Sequence, residues 1–453
     1  MEGVSLEQAI KILSANTAEI FEVESVPLLK ALGRVSAEDF FATLNNPPFD
    51  RSPLDGYALR SADTFGATAA SPKKFTVVGE ECAGDFFANK IKAGEALRIM
   101  TGARMPEGSD CVIRQEDVTT DGDKIFVPYA LKTHENYCLA GEDVKSGQLL
   151  VKGKTKLRAA HIAIFAAQGA NKIKCFRQPR ITFATTGNEL QSVESRLNEF
   201  EFETTMPSVY EGSQLYLDLQ TNSQPINQDA SLGICCKSRN TMQSVGSKTF
   251  VPTTIYNSNL YLIASRLKEL GFEPNILGNL PDDADECAKK ILMHQNETDL
   301  LITTGGVSVG KKDIMHDVVK KLGTRLFWRV EMKPGAPAIG WKGHGGFIGI
   351  ALSGNPFAAL ATFELLARPV LAKLSHCEEL RCRRKRGILV NGFEKSSPGR
   401  RLIRARVDDG RVYLPERHES GVLYSAIDCN AFVDIPAGSK QLSAGEEVEI
   451  ILL

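Results

Sequence analysis

The sequence contains no apolar run of about 18 residues, the length that a transmembrane helix needs, so we expect no membrane span. Its first residues, MEGVSLEQAIKIL, lack a basic stretch followed by an apolar core and do not resemble a secretory signal. We therefore expect a cytoplasmic protein. The net charge of −1 also excludes the strongly basic surface that binds nucleic acid or anionic lipid regardless of sequence. We expect no nucleic-acid partner.

Cysteine and histidine occur without the spacing of metal sites or nucleophilic enzymes. The ten cysteines include no CxxC pair, which argues against a zinc site and a disulfide framework. The adjacent Cys235 and Cys236 are interpreted as reduced thiols. The seven histidines lack metal-ligand spacing, and no Ser-His-Asp or Cys-His arrangement is visible. Other residues must supply any chemistry.

What is present is the pattern of several domains. Ser5 and Gln8 predict a capping box that opens a helix, and short β-like runs between Gly and Pro turns follow. From Arg180 onward, strands alternate with helices, one of them capped by Asn259, which predicts a largely parallel sheet covered on both faces. The predicted fold class is α/β plus β, an elongated multidomain chain with a central doubly wound α/β domain and two small β-domains. The predicted parts are a helical and linker subdomain (1–44 with 141–178), a small β-domain (45–140), the α/β domain (179–376) and a C-terminal β-domain (377–453).

Residues 191–254 interrupt the α/β pattern. Of these 64 residues, 26 are Ser, Thr, Asn or Gln. A stretch of that length and composition is evidence against a compact element. We interpret it as a polar surface insertion, with partner binding as the alternative, because surface insertions are thermodynamically well tolerated.

Three predicted strands end in small residues. In LLITTGGVSVGKKDIMHDVVKKLG, a buried strand runs into a Gly-rich turn and then into a segment with Ile314, Val318 and Leu322 at helical spacing. TTG at 185–187 and SGNP at 353–356 follow two other strands. In a doubly wound sheet such turns gather at the carboxyl edge, where ligands bind. Backbone amides there, with Lys333 as a cation, favour a phosphorylated ligand.

A nucleotide-binding P-loop is the alternative for the second turn. Gly305, Gly310 and Lys311 match G-x-x-x-x-G-K. The next position should be a Ser or Thr that ligates Mg²⁺, but it is Lys312. The P-loop interpretation is therefore the weaker one.

Five carboxylates stand in turn-like contexts: Asp55, Asp143, Glu189, Asp282 and Asp313. Acids in loops are commonly only solvated. Mg²⁺, however, is normally held by one or two carboxylates together with phosphate oxygens and water. If these acids converge on a phosphorylated ligand, they indicate a magnesium site.

Eight ordered motifs then resemble one family. They are PPFDRSPLDGYALR, RIMTGARMPEGSDCVIRQED, GEDVKSGQLL, TTGNEL, IYNSN, TTGGVSVGKKD, MKPGAP and SGNPFAA. The chain resembles the molybdopterin molybdenumtransferase (MoeA/gephyrin E-domain) family from near its first residue to its last, except in most of 191–254. The resemblance implies a homodimer, a molybdopterin-binding α/β domain, and Mg²⁺-dependent insertion of molybdate into adenylyl-molybdopterin with release of AMP.

The resemblance also implies roles for individual residues. The catalytic residues would be Asp55, Thr101, Asp143, Glu189 and Asp282. The Mg²⁺ ligands would be Asp313, Glu189 and Asp55. With the glycine turns included, the expected substrate-binding residues are Thr186, Gly187, Gly305, Gly306, Ser308, Gly310, Lys333, Ser353, Asn355, Pro356, Arg404 and Ser420.

Two other functions remain open. A scaffold protein could retain the fold without catalysis, and a related transferase could prefer tungstate, whose size and charge nearly equal those of molybdate. Ala336, Ser353 and Ala358 depart from the common family pattern and bear on substrate affinity. Expected partners of the enzyme are molybdopterin adenylyltransferase and apo-molybdoenzymes.

Overall fold

The structure is a computed structural model that describes residues 2–193, 253–308 and 313–453. The expected ligand residue Gly310, the Cys235–Cys236 pair and most of the predicted insertion lie outside the described residues. The chain forms two compact units. The first unit comprises Met1–Ile12, Ile181–Leu366 and Arg383–Leu453, and the second comprises Leu13–Arg180 and Ala367–Cys382.

The described residues contain seven α-helices and 24 strands. The helices are α1 (Leu6–Asn16), α2 (Ala159–Ala167), α3 (Ser258–Glu269), α4 (Ala284–Met293), α5 (Met315–Leu322), α6 (Pro356–Thr362) and α7 (Arg368–Leu374). The strands are β1 (Glu2–Val4), β2 (Val23–Pro27), β3 (Phe40–Phe41), β4 (Gly56–Leu59), β5 (Lys73–Glu81), β6 (Glu95–Ile99), β7 (Cys111–Arg114), β8 (Thr119–Asp121), β9 (Lys124–Val127), β10 (Leu149–Val151), β11 (Lys172–Phe176), β12 (Ile181–Thr186), β13 (Leu190–Gln191), β14 (Ile255–Tyr256), β15 (Asn275–Leu280), β16 (Leu300–Thr304), β17 (Gly323–Val330), β18 (Ile339–Gly343), β19 (Ile348–Leu352), β20 (Arg383–Leu389), β21 (Arg401–Asp408), β22 (Arg411–Tyr413), β23 (Ala431–Ile435) and β24 (Glu447–Leu452).

A seven-stranded sheet of order β1-β17-β18-β19-β16-β12-β15 dominates the first unit. The four strands β15, β12, β16 and β19 are parallel, whereas β18 runs antiparallel to both of its neighbours. From β12 the chain crosses outward through α3 to β15 and returns through α4 to β16 on the other side of β12. Because such crossovers are right-handed, α3 and α4 lie on opposite faces. The predicted doubly wound α/β domain is confirmed.

The core of this sheet explains its helices. All five residues of β16 are buried, as expected for a strand covered on both faces. Helix α5 buries Met315, Val318, Val319 and Leu322, a spacing that places all four on one face. That face packs in one apolar cluster with residues of α4 and of the sheet. The helix predicted from this spacing is therefore present.

The first residues of the chain differ from our domain expectation. The capping box is present, since Ser5 N–H donates to Gln8 Oε1 at 3.0 Å and Gln8 N–H to Ser5 Oγ at 3.2 Å. However, β1 pairs in parallel with β17 at the sheet edge, with Glu2 opposite Trp328. Residues 1–12 thus belong to the α/β unit rather than to the 1–44 subdomain, because backbone pairing with a strand more than 300 residues away in sequence places them there.

The C-terminal strands close into a barrel of order β20-β22-β21-β23-β24. This barrel belongs to the first unit and has its own apolar core. The boundary before it also differs from our expectation, because Ala367–Cys382, with α7, groups with the second unit. One π-helical turn, Phe363–Ala367, separates α6 from α7 within the segment that we predicted as a single helix.

The second unit contains the other predicted β-domain. Its six-stranded sheet has the order β7-β4-β6-β5-β9-β8, and two-stranded sheets pair β3 with β10 and β2 with β11. Tyr57, Leu59 and Phe75 contribute to the core of the larger sheet. Among the described residues, we find no helix whose length and apolar content would let it cross a membrane.

Candidate active site

A cavity of about 1230 Å³ opens in the first unit. Its walls are the carboxyl ends of β12, β16 and β19 and a loop of the barrel. The ends of β12 and β16 form the topological switch point of the sheet, since the chain leaves β12 for one side and returns on the other. Ligands bind at such switch points in open α/β sheets.

Most of the expected binding residues line this cavity. They are Thr186, Gly187, Glu189, Asp282, Gly305, Gly306, Ser308, Asp313, Lys333, Ser353, Asn355, Pro356 and Ser420. The three glycine turns therefore do meet at one edge of the sheet. The prediction that depended on this convergence acquires a geometric basis.

The first two turns approach each other too closely for side chains. A Cβ on Gly305 would lie 2.5 Å from the Thr186 carbonyl oxygen, and the φ of Gly305 is +92°. Gly187 has a φ of +138°, and its Cβ would lie 2.7 Å from both carboxylate oxygens of Glu189. Because other residues rarely adopt such φ values, glycine is required at both positions. The backbone at the end of β12 is thereby open to a ligand.

Two acids are placed by the loops after β12 and β15. Asn188 N–H donates to Asp282 Oδ2 at 3.2 Å, and Asp282 N–H donates back to Asn188 Oδ1 at 3.3 Å. This reciprocal pair links the two loops. Glu189 follows directly, and its carbonyl accepts from Ile255 N–H at 2.9 Å. The cavity rim is therefore acidic at the end formed by the sheet.

The third turn, SGNP, is fixed by α3. The predicted cap Asn259 is wrong: Asn257 caps α3, and its Oδ1 accepts from Leu260 N–H at 3.1 Å. Asn259 instead donates from Nδ2 to the carbonyl of Gly354 at 2.6 Å. Pro356 is the first residue of α6, so that helix begins at the cavity wall.

The barrel closes the other side of the cavity. Asn355 Nδ2 donates to Ser420 Oγ at 3.0 Å, and Phe357 N–H donates to the Ser420 carbonyl at 3.1 Å. The expected binding residue Arg404 does not line the cavity. Its guanidinium is buried over the Phe357 ring at 4.0 Å. It donates to the carbonyls of Glu419, at 2.5 Å, and Val422.

The placement of Arg404 gives it a different use from the expected one. By holding the carbonyls on either side of Ser420, it fixes the loop that carries this residue. Burial lowers the pKa of Arg404, yet a guanidinium remains charged near neutral pH. Arg404 therefore supports the site from below rather than facing a ligand.

Four barrel residues at the cavity were missed by the sequence reasoning: Phe393, Lys395, Arg401 and His418. The Phe393 ring lies between the Arg401 guanidinium, 5.4 Å away, and the His418 ring, 5.2 Å away. Burial, with neighbouring Arg404, lowers the pKa of His418, so its ring is neutral at pH 7. These residues carry no recognisable motif, and only the closure of the barrel brings them together.

The remaining expected acids lie in the second unit. Asp55 precedes β4 and Thr101 follows β6, and the pairing of Gly56 with Ile99 brings them side by side. Asp55 Oδ1 accepts from Thr101 Oγ1 and from Thr101 N–H, both at 2.7 Å. These hydrogen bonds hold the pKa of Asp55 below its ordinary value of 3.8. Asp143 Oδ2 accepts from Asn46 Nδ2 at 2.8 Å.

Comparison with known proteins follows from these features. Three family models match successive parts of the chain: the MoeA N-terminal region (domains I and II) at residues 4–169, a probable molybdopterin binding domain at 241–373, and the MoeA C-terminal region (domain IV) at 386–453. Together they match most of the sequence.

Whole proteins are similar over nearly the full length. A molybdopterin molybdenumtransferase of Staphylococcus epidermidis is 28% identical over 99% of this chain and 95% of its own. One from Staphylococcus aureus is 29% identical over 94% of this chain and 90% of its own. A crystal structure of the molybdopterin biosynthesis MoeA protein from Pyrococcus horikoshii is 27% identical, covers 100% of both chains and has a TM-score of 0.74.

Proposed function

Because the chain belongs to the MoeA family, whose relatives are named molybdopterin molybdenumtransferases, we propose that it completes the molybdenum cofactor. In the proposed reaction, molybdate is inserted into adenylyl-molybdopterin and AMP is released. One observation supports this most strongly: three glycine turns, three carboxylates and a lysine meet around one cavity at the switch point of the sheet. That combination suits a phosphorylated organic ligand.

The cavity also has room for a ligand of this size. Its volume of about 1230 Å³ exceeds the roughly 300–1,000 Å³ of ordinary small-molecule sites. The glycine turns offer backbone N–H groups to phosphate oxygens. On the barrel side, Lys333, Lys395 and Arg401 supply positive charge. A pterin joined to a nucleotide through two phosphates needs both a long cavity and cationic groups along it.

Magnesium fits this donor set only together with the ligand. Within residues 2–193, 253–308 and 313–453, no three His, Cys, Asp or Glu side chains form a metal site by themselves. Mg²⁺ usually needs only one or two carboxylates, with phosphate oxygens and water completing its shell. In the cavity, Asp313 and Glu189 would hold it, and Asp55 remains the third predicted ligand. The ion would offset the negative charge of the phosphates.

The chain's own residues would then position the substrate. Gly187, Gly305 and Gly306 leave the backbone open to the phosphates, and Lys333 and Ser420 face the same space. Thr101 keeps the Asp55 carboxylate ionised and oriented. We propose Asp55, Thr101, Asp143, Glu189 and Asp282 as the catalytic group, with Asp313 as metal ligand.

We also propose a homodimer. In the second unit, α2 reads AAHIAIFAA, yet Phe165 is its one buried residue. The neighbouring turn Leu28–Ala31 packs with α2 and leaves Leu29 85% exposed. Exposed apolar surface of this kind marks an interaction site. Sedimentation should therefore give twice the chain mass of 49.5 kDa.

Expected partners follow from the proposed chemistry. A molybdopterin adenylyltransferase would supply the substrate, and apo-molybdoenzymes would receive the product. We propose a cytoplasmic location for this exchange.

The decisive experiment measures AMP release from adenylyl-molybdopterin in Mg²⁺, with and without molybdate. Molybdate-dependent AMP, with a product that activates an apo-molybdoenzyme, is the expected result. Tight binding of the pterin without AMP would overturn catalysis and favour a scaffold. Replacing molybdate by tungstate in the same assay tests the preference between the two oxyanions.

A further inference from the structure

A buried hydroxyl joins three elements at the carboxyl end of β12. Thr185 is fully buried and does not line the cavity. Its Oγ1 accepts a hydrogen bond from Asn257 Nδ2 at 2.7 Å and donates one to Asn279 Oδ1 at 3.1 Å. Asn257 is the cap of α3, and Asn279 belongs to β15. One side chain therefore connects a helix start to the neighbouring strand.

This chain of hydrogen bonds continues to the cavity. Asn279 Nδ2 donates to the carbonyl of Gly187 at 2.8 Å, and Leu190 N–H donates to the same oxygen at 3.1 Å. Asn257 N–H donates to the carbonyl of Gln191 at 3.0 Å. The turn 187–191, which carries Glu189, is thus anchored at both ends by the two asparagines that Thr185 connects.

We propose that Thr185 is a positioning residue for the acidic rim of the cavity. Through Asn257 and Asn279, its hydroxyl fixes the turn 187–191 against β15, and so sets where the Glu189 carboxylate lies relative to Asp282. Thr185 touches no ligand itself. The kinetic part of this inference rests on the proposed function, whereas the structural part does not.

The expected consequence of removing the hydroxyl follows from burial. Asn257 is 3% exposed, so its amide would lose a partner that water cannot easily replace. The turn would then be held less tightly. A misplacement of about 1 Å in a catalytic group lowers turnover by roughly 100-fold, and we expect a loss of at least about tenfold for a smaller shift.

The same strand offers a matched control. Thr182 is also buried in β12, and its Oγ1 lies 2.6 Å from Thr298 Oγ1 near the opposite end of the strand. Thr182→Val removes a buried hydroxyl just as Thr185→Val does, but away from the cavity. Thr185→Ser keeps the hydroxyl and removes only a methyl group.

The test compares these three variants by two measurements. The first is hydrogen exchange of the amides in 187–191, which needs no substrate. The second is kcat and KM for AMP release. We expect Thr185→Val alone to speed exchange in this turn and to lower kcat at least about tenfold with a smaller change in KM, and Thr185→Ser to behave like wild type.

Two outcomes separate the possible failures. Equal effects of Thr185→Val and Thr182→Val on the turn and on kcat would overturn the positioning role, since both would then act through the fold alone. Absence of AMP release from the wild type would instead refute the proposed function, and the exchange comparison would still decide the role of Thr185.

Discussion

The candidate acids of the two units are held in different ways. In the second unit, Asp55 and Asp143 each accept directly from one side chain distant in sequence, Thr101 and Asn46. In the first unit, Asp282 is held by a backbone amide, and the turn of Glu189 is anchored through Asn257, Thr185 and Asn279. A directly held carboxylate should respond to its one donor. A carboxylate held through a chain should respond to residues that never touch the cavity.

The largest effect should come from Asp55→Asn. The side chain is exposed, so the substitution should leave the melting temperature within experimental error of wild type. If Asp55 acts in proton transfer or at the metal, turnover should fall at least about 100-fold. AMP release at saturating Mg²⁺ measures this, with circular dichroism melts as the control for folding. Unchanged turnover would remove Asp55 from the site.

Asp434→Asn supplies a reference, because this acid is buried in the barrel and outside the cavity. Asp434 accepts from Arg400 Nε at 2.8 Å and from Arg384 Nη1 at 2.7 Å. Burial alone would raise the pKa of Asp434, but these hydrogen bonds outweigh it and leave the pKa below 3.8. Breaking the pair should lower the free energy of unfolding by about 3 kcal/mol.

The pH dependence gives this prediction a sign. A carboxyl whose pKa is lowered by folding stabilises the folded state above its ordinary value of 3.8, and this contribution disappears as pH falls through the lowered pKa. Urea unfolding should therefore show the full difference between wild type and Asp434→Asn at pH 7 and a shrinking one below pH 3.8. A difference independent of pH would refute the ion-pair explanation.

Thr101→Val should have an intermediate effect. It removes one of two hydrogen bonds to Asp55 and keeps the backbone one. The pKa of Asp55 should rise toward 3.8, measured by carboxyl NMR titration, and kcat should fall about tenfold. Thr101→Ser restores the donor and should restore both values. If Thr101→Ser and Thr101→Val were equal, the hydroxyl would not hold Asp55.

Replacing residues 194–252 by a linker of about six Gly and Ser residues should have the smallest effect. The flanking strands β13 and β14 pair in parallel, with Leu190 opposite Ile255, so the two ends of the gap already lie side by side. Loop length affects stability weakly, by about 0.6 kcal/mol for each doubling. We expect the melting temperature to stay close to wild type in a thermal scan. A large loss would show that the segment contributes to folding.

The sequence predicted local features well. Gly187 and Gly305 sit in turns that only glycine tolerates, and α5 follows the spacing of its apolar residues. Both signals depend on neighbours in the chain. The family resemblance added the acids, which composition and periodicity alone could not have selected.

Features that depend on distant pairing were not predicted. Strand β18 was missed because Gly340 breaks its pattern; a Cβ there would lie 2.3 Å from the Phe327 ring across the hairpin. Asn257 rather than Asn259 caps α3, because Asn257 is also tied to Gln191 and Thr185. The structural use of Arg404 depends on the loop around Ser420, which no local pattern reveals.

The edge strand β1 has a consequence for how this protein is made. Its hydrogen-bonding partner β17 is synthesised more than 300 residues later, and the barrel of the same unit later still. During translation, which proceeds at about 5–20 residues per second, the first strand must wait for roughly a minute or less before its place in the sheet exists. Until then the edge of β17 stays open to other strands. The earliest residues of the chain thus complete its largest sheet last.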